Sequence, residues 1–316
     1  MKRESATSAA GKRLYIQEVA PRDGFQNEAV FVPTERKIEI IDALSECGFA
    51  KIEVTSFTSP RAIPALRDAE EVMHRIRRKA GVVYTTLVPN LRGAERALSC
   101  RVDEVNLVMS VSERHNLSNL RMDREASFAQ LRGVIDVVRG SPVAINASLS
   151  TAFGCPMQGD IAAAEVLRWV ERFAALGVGG VTLCDTTGMA FPSQVGALAA
   201  QVRAAFPALE LTLHFHNTRG MALANALAAL EAGVDRFDAC LGGIGGCPYA
   251  PGASGNVCTE DLVHMLALIG YDTGVDLSRA LQVAGELPAL LGHEVPSQVL
   301  KAGRRLDLHA HVAQAQ

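Results

Sequence analysis

His214 and His216 flank Phe215 at the end of a short apolar run, Leu211–His216. In an extended strand residues i and i+2 face the same way, so both imidazoles converge on one point while Phe215 turns into the packing behind. Farther along come Gly242-Gly243-Ile244-Gly245-Gly246-Cys247-Pro248-Tyr249 and Gly252-Ala253-Ser254-Gly255-Asn256, a glycine-rich stretch with a thiol and an amide. Near the start, Arg22 and Asp23 stand together in Pro21-Arg22-Asp23-Gly24, with Gln26 close behind. Two imidazoles, a carboxylate and an amide oxygen are a donor set for a divalent cation. A guanidinium next to such a site suits a reaction in which negative charge develops. The bland alternative is two histidines buried in a strand for packing alone.

These residues are far apart in sequence and need a frame that gathers them. Short, mostly apolar and β-branched runs, suited to strands buried on both faces, occur at Leu14–Ala20, Lys51–Phe57, Val82–Pro89, Glu104–Ser110, Ala144–Ser150, Gly180–Cys184, Leu211–His216 and Arg236–Leu241. Amphipathic stretches alternate with them: Arg36–Cys47, Gly93–Ser99, Ser127–Arg139, Ile161–Leu176, Pro192–Ala205 and Ala222–Ala232. Gly48, Gly177 and Gly233 stand where helix C-caps belong. This βα repeat without a compositional break predicts a single (β/α)8 TIM barrel over residues 13–303. Short extra C-terminal helices are expected at Glu260–Leu268 and Ser278–Leu291, with loose tails at 1–12 and 304–316. His309 and His311 in the second tail read as solvated rather than as ligands. An open doubly wound sheet would call for a glycine-rich phosphate loop after the first strand, where Pro21-Arg22-Asp23-Gly24 stands instead.

Barrel enzymes gather their working groups at the C-terminal ends of the strands. Those ends carry Arg22, Asp23 and Gln26; Glu53, Thr55 and Ser56; Asn90; Asn146, Ser148 and Ser150; Asp185, Thr186 and Thr187; His214 and His216; then Cys247 and Asn256. Closing the barrel sets the first strand beside the eighth, so Asp23, His214, His216 and Asn256 come from adjacent strand ends. That set suits octahedral Mg²⁺ or Mn²⁺ with positions left for water or substrate. Ligand softness also admits Co²⁺ or Zn²⁺.

Bulk properties narrow the partners. The chain has 316 residues, 48% hydrophobic and 5% aromatic, with a net charge of −3, which gives no reason to expect a nucleic-acid partner. No apolar stretch reaches the length of a membrane span, and MKRESATSAAGK lacks the apolar region of a secretory signal. The seven cysteines are odd in number, scattered and without a CxxC pair, a reduced pattern that predicts a cytoplasmic protein.

The runs PRDGFQNE, KIEVTSFTSP, LHFHNTRG and, above all, GGIGGCPYAPGASGNVCTEDLVHML resemble the 3-hydroxy-3-methylglutaryl-CoA lyase family, from about Leu14 to about Gly292. The His-x-His element and the Arg-Asp pair are shared with a wider set of metal-dependent barrel lyases and Claisen-type condensing enzymes. The Gly-Gly-Cys-Pro-Tyr-Ala loop is the narrow marker of the lyases. The resemblance implies retro-Claisen cleavage of an acyl-CoA to acetyl-CoA and acetoacetate, the chemistry of leucine catabolism and ketone-body formation, by a homo-oligomer. It implies Asp23, His214, His216 and Asn256 as ligands of Mg²⁺ or Mn²⁺, Arg22 at the developing enolate, and Cys247 as the thiol that trades a proton with carbon. Glu53 would orient Arg22 or a water. Asp185 would take a proton from, or hold, the substrate hydroxyl. Gln26 and Asn90 would position the carboxylate arm or support their neighbours. The alternatives are a related 3-hydroxyacyl-CoA with another substituent and a condensing synthase. Those synthases usually carry a further C-terminal domain, for which little chain follows the eighth strand. A non-catalytic acyl-CoA-binding barrel would be expected to lack one of Arg22, Asp23, His214, His216 or Cys247.

Four features depart from the family pattern or resist assignment. Asn217 stands where Asp is frequent, Arg219 where an aromatic is common, and Ala29 where many lyases place a lysine. The segment Ser110–Leu120, with His115 and two asparagines, either orders the loop after the fourth strand or marks a different acyl group.

Overall fold

The computed structural model describes residues 11–246 and 255–308. Its strands are β1 (Tyr15–Glu18), β2 (Lys51–Ser56), β3 (Val83–Leu87), β4 (Glu104–Ser110), β5 (Ala144–Ser150), β6 (Gly180–Asp185), β7 (Glu210–Phe215) and β8 (Arg236–Ala239). Each pairs in parallel with its successor, and β1 closes on β8 through Tyr15↔Arg236 to Glu18↔Ala239, so the sheet is a closed barrel in sequence order. Around it lie α1 (Thr34–Ser45), α2 (Ala69–Arg75), α3 (Leu91–Ser99), α4 (Glu113–Leu120), α5 (Arg124–Val138), α6 (Ala163–Ala175), α7 (Pro192–Ala205) and α8 (Ala222–Glu231). Among the described residues four further helices follow β8: α9 (Thr259–Leu268), α10 (Leu277–Ala284), α11 (Leu287–Leu291) and α12 (Gln298–Ala302).

The expected barrel is present, and the deviations in its elements have local causes. β1 stops at Glu18 rather than Ala20, because the Val19 carbonyl accepts from the N–H groups of Arg22, Asp23 and Gly24 and winds Ala20–Gly24 into a wide helical turn. The segment Ser278–Leu291 is two helices, because Pro288 supplies no amide donor and instead starts α11. Residues expected to begin the C-terminal tail are held by Arg304, which bonds Asp307 and the Ser278 hydroxyl. Among the described residues no helix is long and apolar enough to cross a membrane.

The two faces of the sheet differ in kind. Ile16, Ile52, Val54, Val105, Leu107, Leu149, Val181, Leu183, Leu213 and Phe237 are buried in one apolar cluster with the helices. The alternate positions form a polar lumen that the apolar reading of the strands did not anticipate. There Lys51 pairs with Glu104 at 2.6 Å, Gln17 donates to Thr212 at 3.0 Å, and Asn146 donates to both Asn106 and Thr182 at 3.0 Å. Buried polar groups are tolerable only when bonded to one another, and these are.

Candidate active site

The wide turn after β1 points Arg22 and Asp23 into the barrel mouth, consistent with the frequent use of such turns at functional sites. Arg22 is gripped from two sides: Nε and Nη2 reach Glu53 Oε2 at 2.6 Å, and Nη1 reaches Asp23 Oδ1 at 2.5 Å. Burial disfavours its charge, yet Asp23, Glu53 and Asp238 push the guanidinium above its ordinary range. Burial likewise opposes ionisation of Asp23, but Arg22, His214, His216 and the Asn256 amide hold its carboxyl at about 2. Glu53 lies on β2 with its carboxyl raised by burial, against the opposing pull of Arg22 and Asn106.

β7 delivers His214 and His216 to the same point, as the i, i+2 spacing predicts. One ligand atom each from Asp23, His214 and His216 lie within 4.8 Å of one another, and the His214 Nε2 to Asp23 Oδ2 distance is 3.9 Å. Each ring is steered from behind. The β7–β8 register sets His214 opposite Asp238, and His214 Nδ1 meets Asp238 Oδ2 at 3.1 Å. His216 Nδ1 lies 3.1 Å from the Asp185 carbonyl. A carboxylate or carbonyl behind a ligating imidazole fixes its tautomer and strengthens it as a donor. Burial lowers the His214 ring, but Asp238 and Asp23 together leave it raised. His216 falls to about 4 through burial and its neighbour His214, so its lone pair is free at neutral pH.

Asn256 supplies the remaining oxygen. Its Nδ2 donates to Asp23 Oδ2 at 2.8 Å and to the Ile244 carbonyl at 3.0 Å, while Oδ1, fully buried, has no protein partner. A buried amide oxygen without a partner, beside a carboxylate and two imidazoles, is what a hard or borderline divalent cation would satisfy. The residues therefore fit a metal. Gly245 makes this approach possible. Its φ of +91° is open to glycine, and a Cβ there would stand 2.5 Å from Asn256 Nδ2.

The other expected residues distribute unevenly. Asp185 ends β6, and its Oδ1 accepts from the Met189 and Ala190 amides at 2.7 and 3.1 Å, while Oδ2 is buried without a partner. Burial raises this carboxyl to about 6, partly offset by those amides. Gln26 lines the cleft, with its Oε1 buried and unbonded. Asn90 lines an adjoining pocket rather than this cleft. Its Oδ1 accepts from Gly93 N at 2.9 Å as the N-cap of α3, the role its position before that helix commonly serves. Cys247 and most of its loop, with His309 and His311, lie outside the described residues.

The cleft above these groups has a volume of ≈ 440 Å³. Arg22, Asp23, His214 and His216 form one wall; Leu87, Val108, Ile63, Pro64 and Leu120 make the other apolar. The segment Ser110–Leu120 orders the loop after β4 and also reaches the cleft. Asn116 accepts from Ser110 N at 2.9 Å and donates to Ser127 at 2.7 Å, which orders the loop, while His115 and Asn119 line the cleft. Arg219 donates to the Thr187 and Gly188 carbonyls at 3.0 and 2.8 Å, and Asn217 Oδ1 accepts from Ala222 N at 3.2 Å. Both departures thus stitch the loops after β6 and β7. Asp238 and Asn106 escaped the sequence reading. The available signal was an acid and an amide at alternating positions of otherwise apolar strands.

Comparison with known proteins agrees with this geometry. A hydroxymethylglutaryl-CoA lyase of Bacillus subtilis is 44% identical over 92% of this chain and 97% of its own. The human mitochondrial hydroxymethylglutaryl-CoA lyase is 38% identical over 96% of this chain and 94% of its own. An HMG-CoA lyase structure from Acinetobacter baumannii, in complex with coenzyme A and 3-methylmalate, superposes with a TM-score of 0.91 at 49% identity, covering 99% of this chain and 100% of that one. The sequence model of the HMGL-like family matches residues 13–286, and the chain belongs to that family.

Proposed function

We propose that this chain cleaves 3-hydroxy-3-methylglutaryl-CoA to acetyl-CoA and acetoacetate with the help of Mg²⁺ or Mn²⁺. It is a carbon–carbon lyase. The observation that carries this reading is the buried convergence of Asp23, His214, His216 and the unpartnered Asn256 Oδ1, with Arg22 fixed alongside. Asp23, His214, His216 and Asn256 would hold the cation, which when bound acidifies a substrate hydroxyl and anchors the substrate.

The residues of the chain then divide the work. Asp185, between the cleft-lining Cys184 and Thr186, would take the proton of the tertiary hydroxyl: its carboxyl is raised to about 6 and its Oδ2 has no hydrogen-bond partner. As the C2–C3 bond breaks, C3 becomes the ketone of acetoacetate and the bonding pair passes to C2 as a thioester enolate. Arg22 faces the enolate oxygen, a fixed cation where charge develops. Protonation at C2 completes acetyl-CoA, and the family resemblance assigns that proton to Cys247. Gln26 holds the distal carboxylate. Beside the cleft, across the loop that carries Phe57 to Pro64, Arg61, Arg67, Arg92 and Arg96 line a second pocket of ≈ 600 Å³. They make that side of the mouth cationic, the sign that suits the phosphates of an acyl-CoA.

The test is release of acetoacetate and acetyl-CoA from 3-hydroxy-3-methylglutaryl-CoA with Mg²⁺ or Mn²⁺, repeated with excess chelator. Chelator-sensitive turnover is the expected result. Metal binding without turnover would reject this substrate and direct the search to thioesters with other substituents.

A further inference from the structure

We infer that Asn106, on β4 and outside the substrate cleft, is a positioning residue that sets the catalytic guanidinium of Arg22 through Glu53. The inference rests on the lyase reading for its kinetic consequence, and on geometry alone for the contact chain.

Glu53 has two oxygens with separate duties. Oε2 takes both Arg22 contacts, and Oε1 accepts from Asn106 Nδ2 at 2.9 Å. The side chains of Glu53 and Asn106 are both buried, away from bulk solvent. Without the Asn106 donor, Oε1 would be a desolvated lone-pair site with no bond, and the carboxylate would rotate to find one. Any rotation about the terminal torsion moves Oε2, and the guanidinium with it.

The orientation of the Asn106 amide is itself fixed. Its Oδ1 accepts from Ser148 Oγ at 2.8 Å and from Asn146 Nδ2 at 3.0 Å. Asn146 Nδ2 is anchored in turn by Thr182 Oγ1 at 3.0 Å. Flipping the amide would set Oδ1 against a carboxylate and Nδ2 against other donors, so only one orientation satisfies all partners. Ser148 also lines the cleft. The chain Ser148–Asn106–Glu53–Arg22 therefore crosses the lumen from β5 to the turn after β1, joining the accommodating wall to the reacting one. Such a network has rigidity that no single pair in it would have.

A double-mutant cycle tests it. Asn106→Ala removes the donor, and Asn106→Asp keeps the shape while placing an acceptor against Glu53. Each should lower kcat by about 10²-fold, the scale of a small misplacement of a reacting group. Mn²⁺ affinity should stay within about threefold, because no metal ligand touches Asn106. In an Arg22→Gln background, Asn106→Ala should add no further loss. Thr212→Val, in the same lumen but bonded to Gln17 rather than to any member of this chain, should leave kcat near the parent value. Equal losses in both backgrounds would overturn the inference. A second readout is independent of turnover: the ¹⁵N-resolved Arg22 Nε–H signal should exchange faster with solvent in Asn106→Ala. An unchanged signal would also overturn the inference, whereas wild-type protein inert toward the thioester would sink only the lyase reading.

Discussion

The two walls of the barrel mouth are built on opposite principles. On the side of β1, β7 and β8, Arg22, Asp23, His214, His216 and Asn256 are each held by at least one hydrogen bond with a neighbouring group. On the side of β3 and β4, Leu87, Pro89, Val108 and Leu120 face the same cleft with apolar surface. The first wall costs desolvation of several charges, and only a dense set of partners makes that tolerable. The second costs little and fixes little. Chemistry demands groups held to a fraction of an ångström, whereas accommodation of an acyl substituent demands only shape.

Changing residues on each wall should expose the difference. The largest effect is expected for Arg22→Gln, which would remove the cation proposed to face the charge-developing oxygen; steady-state kinetics should show kcat lower by ~10²–10³ with KM little altered. A loss confined to KM would mean that Arg22 only binds substrate. Next comes Asp238→Asn, which leaves every proposed ligand in place but weakens the support of His214. Titration calorimetry with Mn²⁺ should show affinity reduced ~10–100-fold. In the wild type, proton and cation would compete for the His214 ring. Because that ring's pKa is raised by Asp238 and Asp23 despite burial, metal affinity should begin to fall at a higher pH than for an ordinary imidazole. In Asp238→Asn this fall should move to lower pH.

On the opposite wall, Val108→Ala enlarges the cleft by two methyl groups and touches no charge. Competition between thioesters should show a shift of about tenfold in kcat/KM toward a bulkier substituent, the scale set by small apolar volume changes. A loss as large as that of Arg22→Gln would erase the distinction between the walls.

The smallest effect on activity is expected below the metal wall, at Glu18. Its carboxylate accepts from Ala20 N, Leu241 N and Thr259 Oγ1, and burial raises it to about 8. An acid whose folded pKa is raised binds its proton more tightly folded than unfolded. Stability is therefore fullest below the unfolded pKa of 4.5 and is lost as pH rises toward 8. Glu18→Gln should remove that decline, roughly 1 kcal/mol per pH unit across the window, while kcat changes less than twofold. Chemical denaturation at several pH values reads it. An unchanged pH dependence would place the titrating group elsewhere.

Much of this was legible in the chain. The alternation of apolar strands with amphipathic helices dictates a barrel, because a parallel sheet must cover both faces and a closed one leaves no edge. The period of two in an extended strand dictates that His214 and His216 converge, whatever surrounds them. The acid and amide at Asp23 and Asn256 follow once strand closure is granted. The pairing of His214 with Asp238, the path from Asn106 to Arg22, and the use of Asn90 as a helix cap were decided only by tertiary structure. Each depends on inter-strand register or on the exact end of a helix. A shift of one residue turns a side chain to the opposite face, and local sequence does not encode that shift.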